Sequence, residues 1–247
     1  MDTIDSAILI PAFIAGLLVL TTHIPLGMKV LARGVIFADL AVAQIAGLGV
    51  VIASLLGFTD KPLLVQLIAA ASALCGAGLL AWIEYRLAEV KEACIGLTFV
   101  LAASAGILLM SRDVHAGEHL KDLLVGQILW VNSSQLMVTA LLSAVILLIW
   151  RRWTLGNLGF YALFAVAVTA SVQLVGVYLV FASLIVPALA TWRILQNRLA
   201  YAFAIGIAGY AVGLLLSAWL DLPSGAAIVW AMTLVGILLA LLKRCYD

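Results

Sequence analysis

Two groups of residues in this 247-residue chain have types and spacings that could do chemistry. The first is Asp39 with Gln44, a carboxylate and an amide in the otherwise apolar stretch Gly34 to Gly49. An ionisable side chain inside an apolar span is expensive, and it commonly faces a bundle interior or a polar pathway. Carboxylate oxygen is a ligand for hard and borderline cations. Asp39 is therefore a candidate ligand or charge on a cation path. The plainer reading is an aspartate that caps the start of its helix or pairs with Arg33 just before it. Gln44 lies about 140° from Asp39 around a regular helix. The two address one pathway only if the helix is distorted there, and hydrogen bonding between helices also accounts for Gln44.

The second group is His115-Ala-Gly-Glu118-His119. Its His-x-x-Glu-His order matches an inverted metalloprotease pattern with two imidazoles one helical turn apart. A protease also needs a third ligand and a substrate cleft, and Gly117 weakens a helix. A looser metal-attracting patch with Asp113 and Asp122 is a second reading, and a solvated polar loop a third.

The elements that must position these residues are membrane spans. The chain is 66% hydrophobic and 10% charged, with mean hydropathy +1.25. No soluble core hides that much apolar surface, so the expected class is an all-α polytopic transmembrane bundle. A net charge of +1 offers no field for nucleic acid. Cys75, Cys94 and Cys245 are far apart and odd in number, which suits small apolar fillers better than a disulfide framework. Met1 to Asp5 has no positive region, so the first span itself is expected to direct insertion.

Stretches of about 20 apolar residues fall at 6–27, 34–57, 62–84, 94–111, 130–150, 158–174, 175–192, 199–220 and 223–242. The pair between 158 and 192 is short, so eight or nine spans are expected, in one domain over 1–247. With nine, Lys29 and Arg33, Arg86 and Lys91, Arg151 and Arg152, Arg193 and Arg198, and Lys243 and Arg244 all fall on one side. The positive-inside rule makes that side cytoplasmic. His23, beside Pro25, reads as a structural or interfacial residue ending the first span. Glu84, Glu89 and Glu92 alternate with Arg86 and Lys91 as a solvated, salt-bridged turn. Pro187 should kink its helix just before Arg193 to Arg198, a short amphipathic element that could dock a partner. Small residues (Gly49, Gly76, Ala102, Gly106, Gly209, Gly213) mark close helix contacts. No phosphate-binding loop of the GxxxxGK[ST] type occurs, so any ATP-driven work needs another chain.

Several runs together resemble a known family. They are Gly27-Met-Lys-Val-Leu-Ala-Arg33-Gly34-Val-Ile-Phe37-Ala-Asp39-Leu-Ala-Val-Ala-Gln44, Glu92-Ala-Cys-Ile-Gly96-Leu, His115-Ala-Gly-Glu118-His119, Leu123-Leu-Val-Gly126-Gln-Ile-Leu129, and Gly176-Val-Tyr-Leu-Val-Phe-Ala-Ser-Leu-Ile-Val-Pro187-Ala. In order and spacing the chain is similar to permease subunits of the zinc/manganese/iron ABC importers (ABC-3), which share the type II, vitamin B12 importer-like architecture.

The resemblance implies a homodimer of permeases, two cytoplasmic ATPase subunits, an external metal-binding protein and inward movement of a divalent metal ion across the bacterial cytoplasmic membrane. This chain would bind no cofactor of its own and would be no enzyme, since ATP is used by the partner. The second span would line the path, with Asp39 and Gln44 on it and His115, Glu118 and His119 at the outer mouth. The segment after Pro187 would lie near the ATPase. Many members carry Asp-x-x-x-His in the second span. Here Ala43 follows Asp39 by four and Gln44 stands near the histidine's place, which leaves the metal open because glutamine oxygen is a poor zinc ligand beside imidazole. The rival readings are a same-fold permease for an organic or chelated substrate, and a membrane metalloenzyme using His115, Glu118 and His119.

Overall fold

The computed structural model describes residues 6–110, 126–152 and 156–244. Among them are nine α-helices and no strand: α1 Ser6–Arg33, α2 Ala38–Leu55, α3 Pro62–Arg86, α4 Lys91–Met110, α5 Ser133–Arg152, α6 Asn157–Val175, α7 Val177–Ala190, α8 Arg198–Leu220 and α9 Ser224–Arg244. A 3₁₀ turn, Ile128–Trp130, precedes α5. All helices but α7 are long and apolar enough to cross a membrane. The chain is a multi-pass membrane protein.

The expected first span, 6–27, is too short. α1 runs unbroken to Arg33 through Pro11 and Pro25. His23 does not end it but lies in its middle, fully buried. The polar-looking stretch continues the helix because the hydroxyls of Thr21 and Thr22 and Nδ1 of His23 are met within it. The hydroxyls of Thr21 and Thr22 donate to the carbonyls of Leu18 and Val19 at 2.6 and 3.1 Å, and His23 Nδ1 lies 3.0 Å from the Val19 carbonyl. Such local bonding is how spans tolerate proline and polar residues.

Side-by-side contacts fix the directions of the helices. Gly16 faces Tyr210 and Leu20 faces Gly206, so α1 and α8 are antiparallel. Gly49 faces Ser72 and Gly76 faces Ile45, so α2 and α3 are antiparallel. Gly209 faces Met232 and Gly213 faces Ile228, which does the same for α8 and α9. Gly236 of α9 meets Val186 and Ala190 of α7, so those two helices finish on the same side. α7 begins at the opposite side, where a side chain on Gly126 would run into the backbone of Val175 and Gly176. Gly176 takes φ +80° to turn the chain back there, a conformation that favours glycine.

α7 has 14 residues, about 21 Å of helix, less than the roughly 30 Å hydrocarbon layer. It still returns the chain from one side to the other. The short pair expected at 158–192 is therefore one full span and one short crossing. The basic residues at the ends of α1, α3 and α5, after α7 and at the end of α9 all lie on one side, here called the basic face.

α6 is the most enclosed span, 67% buried, and α4 the least, 11%. Gly49, Gly76, Gly209 and Gly213 do lie at helix contacts and Ala102 is buried, whereas Gly106 of α4 meets no neighbour. Cys75 is exposed rather than a core filler. These contacts lead to a paired prediction. A Cβ at Gly27 would collide with the Leu184 carbonyl, so Gly27→Ala should destabilise the detergent-solubilised protein by about 1–3 kcal/mol. Gly106→Ala, in open space, should be neutral or stabilising by roughly 0.5–1 kcal/mol. Melting temperatures of the two variants check both.

Candidate functional site

The turn between α1 and α2, residues 34–37, is where the site is built. Gly34 takes φ +64°, and the chain re-enters a helix at Ala38. Three other helices hold this turn. The Arg33 guanidinium donates to Glu84 of α3 at 3.0 Å and to Asn157 of α6 at 3.1 Å. It also stacks over the ring of Phe160, 4.2 Å from the centroid. The ammonium of Lys91, the first residue of α4, donates to the Arg33 carbonyl. The Phe37 amide donates to Oε1 of Glu92 at 3.1 Å. Tyr161 of α6, fully buried, faces Glu84 without meeting hydrogen-bond geometry.

The expected solvated turn of alternating charges is thus only partly that. Glu89 and Arg86 are exposed, but Glu84, Lys91 and Glu92 are half-buried and bonded to the α1–α2 turn. Sequence reasoning missed Glu84 and Glu92 as site residues because their partners are 51 and 55 positions away. The available signal was that Glu92 opens an apolar span, in a run that also carries the family resemblance.

Asp39 sits in the first turn of α2, 1% exposed. It does not pair with Arg33, whose bonds go to Glu84 and Asn157. The backbone amides of Asp39 and Leu40 are near its carboxylate, yet neither oxygen meets hydrogen-bond geometry with any partner among the described residues. The positive end of the α2 dipole favours an anion there without satisfying it. α2 is continuous over Ala38–Leu55, so Asp39 and Gln44 point to different faces. Asp39 looks into the protomer, while Gln44 is half-buried on the side away from it. The structure does not bring them together within one protomer. His115, Glu118 and His119 lie outside the described residues, so the structure places none of the three. No group of three or more His, Cys, Asp or Glu that could hold a metal occurs among the described residues.

At the opposite face, Gln66 of α3 donates to Gln173 of α6 at 2.8 Å, both exposed on the protomer surface. Beyond α7, the turn around residues 191–197 is not helical. It carries Trp192 at 58% and Leu195 at 98% exposure, and Arg198 donates to the Ala188 carbonyl at 3.1 Å to close the end of α7.

The Arg33–Glu84 pair is only 23% and 13% exposed at its side chains, so it is less screened than a surface pair. A double-mutant cycle of Arg33→Ala and Glu84→Ala should give a coupling above about 1 kcal/mol, the upper end for exposed pairs. Arg33→Lys should not restore it, because one ammonium cannot reproduce the planar contact with Phe160 and both oxygen acceptors. Thermal unfolding of the four proteins measures this.

Comparison with known proteins follows the same lines. The family model described as the ABC 3 transport family matches residues 5–155 and 152–243. A "Probable iron transport system membrane protein" of Haemophilus influenzae (strain Rd) is 27% identical over 163 residues, 56% of this chain. The match spans about 60% of that protein's length. Among solved structures, "PsaBC from Streptococcus pneumoniae in complex with Fab" superposes with a TM-score of 0.73 at 19% identity, covering 97% of this chain and 91% of that one. That likeness extends the shared fold over nearly the whole chain. With its spans, its basic face and a family match over almost its full length, the chain belongs to the ABC 3 transport family.

Proposed function

We propose that the chain is the permease subunit of an ATP-driven importer for a divalent metal ion. The observation that carries this is Asp39: a fully buried carboxylate in a family of membrane transporters, with both oxygens unpartnered and the nearest arginine bonded elsewhere. Burying a charge without a partner costs several kcal/mol. A site that leaves a carboxylate in that state is suited to receive a cation. The printed iron-transport name of the Haemophilus relative supports metal as the cargo class.

Two copies would pack with the path between them, and the half-buried Gln44 would face that path. Asp39 would be reached when α2 and its neighbours shift. The basic face would be cytoplasmic, by its excess of Lys and Arg. There the exposed Trp192 and Leu195 would dock an ATPase subunit, since no nucleotide loop exists in this chain. His115, Glu118 and His119 follow Met110 and precede Gly126 in the sequence, and they would receive the ion from an external metal-binding protein. Nucleotide binding and hydrolysis would shift the population between outward- and inward-open states. No bond of the substrate is made or broken.

The test is metal uptake by the complex reconstituted in vesicles. Asp39→Ala should reduce uptake at least tenfold while the complex still assembles, as judged by size-exclusion chromatography. Uptake at the wild-type rate would remove Asp39 from the pathway. Replacing His115, Glu118 and His119 together by alanine should lower uptake at limiting metal, with the effect fading as metal is raised. A complex that moves an organic substrate and no metal would favour the same-fold alternative.

A further inference from the structure

We propose that Glu92 of α4 is the second carboxylate of the Asp39 station, so that a divalent cation at the basic end of α2 is held between two helices. This rests on the metal-permease reading above and adds a residue to it. Three buried carboxylate oxygens lack partners in this region: both of Asp39 and Oε2 of Glu92. Glu92 reaches the backbone amide of Phe37, two residues before Asp39. Two acids close together in a dry setting do not both stay charged on their own: one holds a proton, or a cation lies between them. The resident cations do not serve. Arg33 is bonded to Glu84 and Asn157, and Lys91 to the Arg33 carbonyl.

The geometry also holds Glu92 in place. Its Oε1 accepts the Phe37 amide at 3.1 Å, two residues before Asp39, and the adjacent Lys91 grips the other end of the same turn. The first turn of α4 therefore sets where α2 begins, and it leaves one Glu92 oxygen free. Hard divalent cations accept carboxylate oxygens and complete their shell with carbonyls or water. A station with two protein carboxylates and no third strong ligand among the described residues is matched to transport, where the ion must leave again. The competing account is that Glu92 only caps the Phe37 amide.

Glu92→Gln separates the two. It keeps an oxygen for the Phe37 amide and removes the charge. The experiment is equilibrium dialysis of the detergent-purified permease–ATPase complex against Mn²⁺ alone and Zn²⁺ alone, with assembly and melting temperature measured in parallel. Glu92→Gln is expected to assemble and melt as wild type and to bind the ion at least tenfold more weakly. Asp39→Asn should do the same, and the double variant should lose less than the product of the two, because both remove one shared site. Wild-type affinity in Glu92→Gln, with affinity lost in Asp39→Asn, overturns the inference and leaves the permease reading standing. A wild-type complex that binds neither ion overturns both. Should Glu92→Gln fail to assemble, Glu92→Asp keeps the charge on a shorter arm; it is expected to weaken binding severalfold, and unchanged affinity in it overturns the inference as well.

Discussion

The Arg33 guanidinium is the contact on which the basic half of the molecule depends. In a bilayer every polar group must be satisfied within the protein. Several of this chain's charged groups gather at one point to meet part of that demand. Arg33 ends α1, bonds to the end of α3 and the start of α6, lies on the ring of Phe160, and through its carbonyl receives Lys91 from α4. Four helices that would otherwise meet only through weak, non-directional apolar contact are thereby registered against one another. The start of α2 inherits its position from that registration.

Asp39 is the complement of this hub. Half-buried Glu84 has an arginine; fully buried Asp39 has none. The difference is not a shortage of cations but their commitment. Because Arg33 and Lys91 are both engaged, Asp39 stays an acceptor without a donor, in a helix end whose amides favour a negative charge but do not bond it. A fold that needed Asp39 only for stability would have closed that contact, since an unmet buried polar group costs more than a made hydrogen bond returns.

The two faces of the bundle are joined differently. On the basic face the ties are charge-assisted and pass through Arg33, Lys91 and Glu92. On the opposite face the corresponding tie between α3 and α6 is one bond between neutral amides, Gln66 to Gln173. Charge-assisted bonds are roughly twice as strong as neutral ones, so parting the helices on the basic face requires more work. The short α7 contributes to the same geometry. Gly176 reverses the chain at once, and α7 brings it back through the interior to the exposed turn at Trp192 and Leu195.

Much of the fold was legible in the residues. Runs of apolar side chains identified the spans, and the placement of Lys and Arg identified a common face, because both follow from solvation, a local property of each residue. The boundary of α1 was not legible: Thr21, Thr22, His23 and Pro25 look like an end until the hydrogen bonds of Thr21 to Leu18 and of Thr22 and His23 to Val19 are known. The site was half legible. Asp39 announces itself as a carboxylate in an apolar run, a fact of sequence alone. That Arg33 would turn to Glu84 and Asn157 rather than to Asp39, and that Glu92 would reach the Phe37 amide with one oxygen to spare, could be decided only by the tertiary structure. Those partners lie more than fifty residues apart along the chain, and which charge is satisfied depends on which helices pack together.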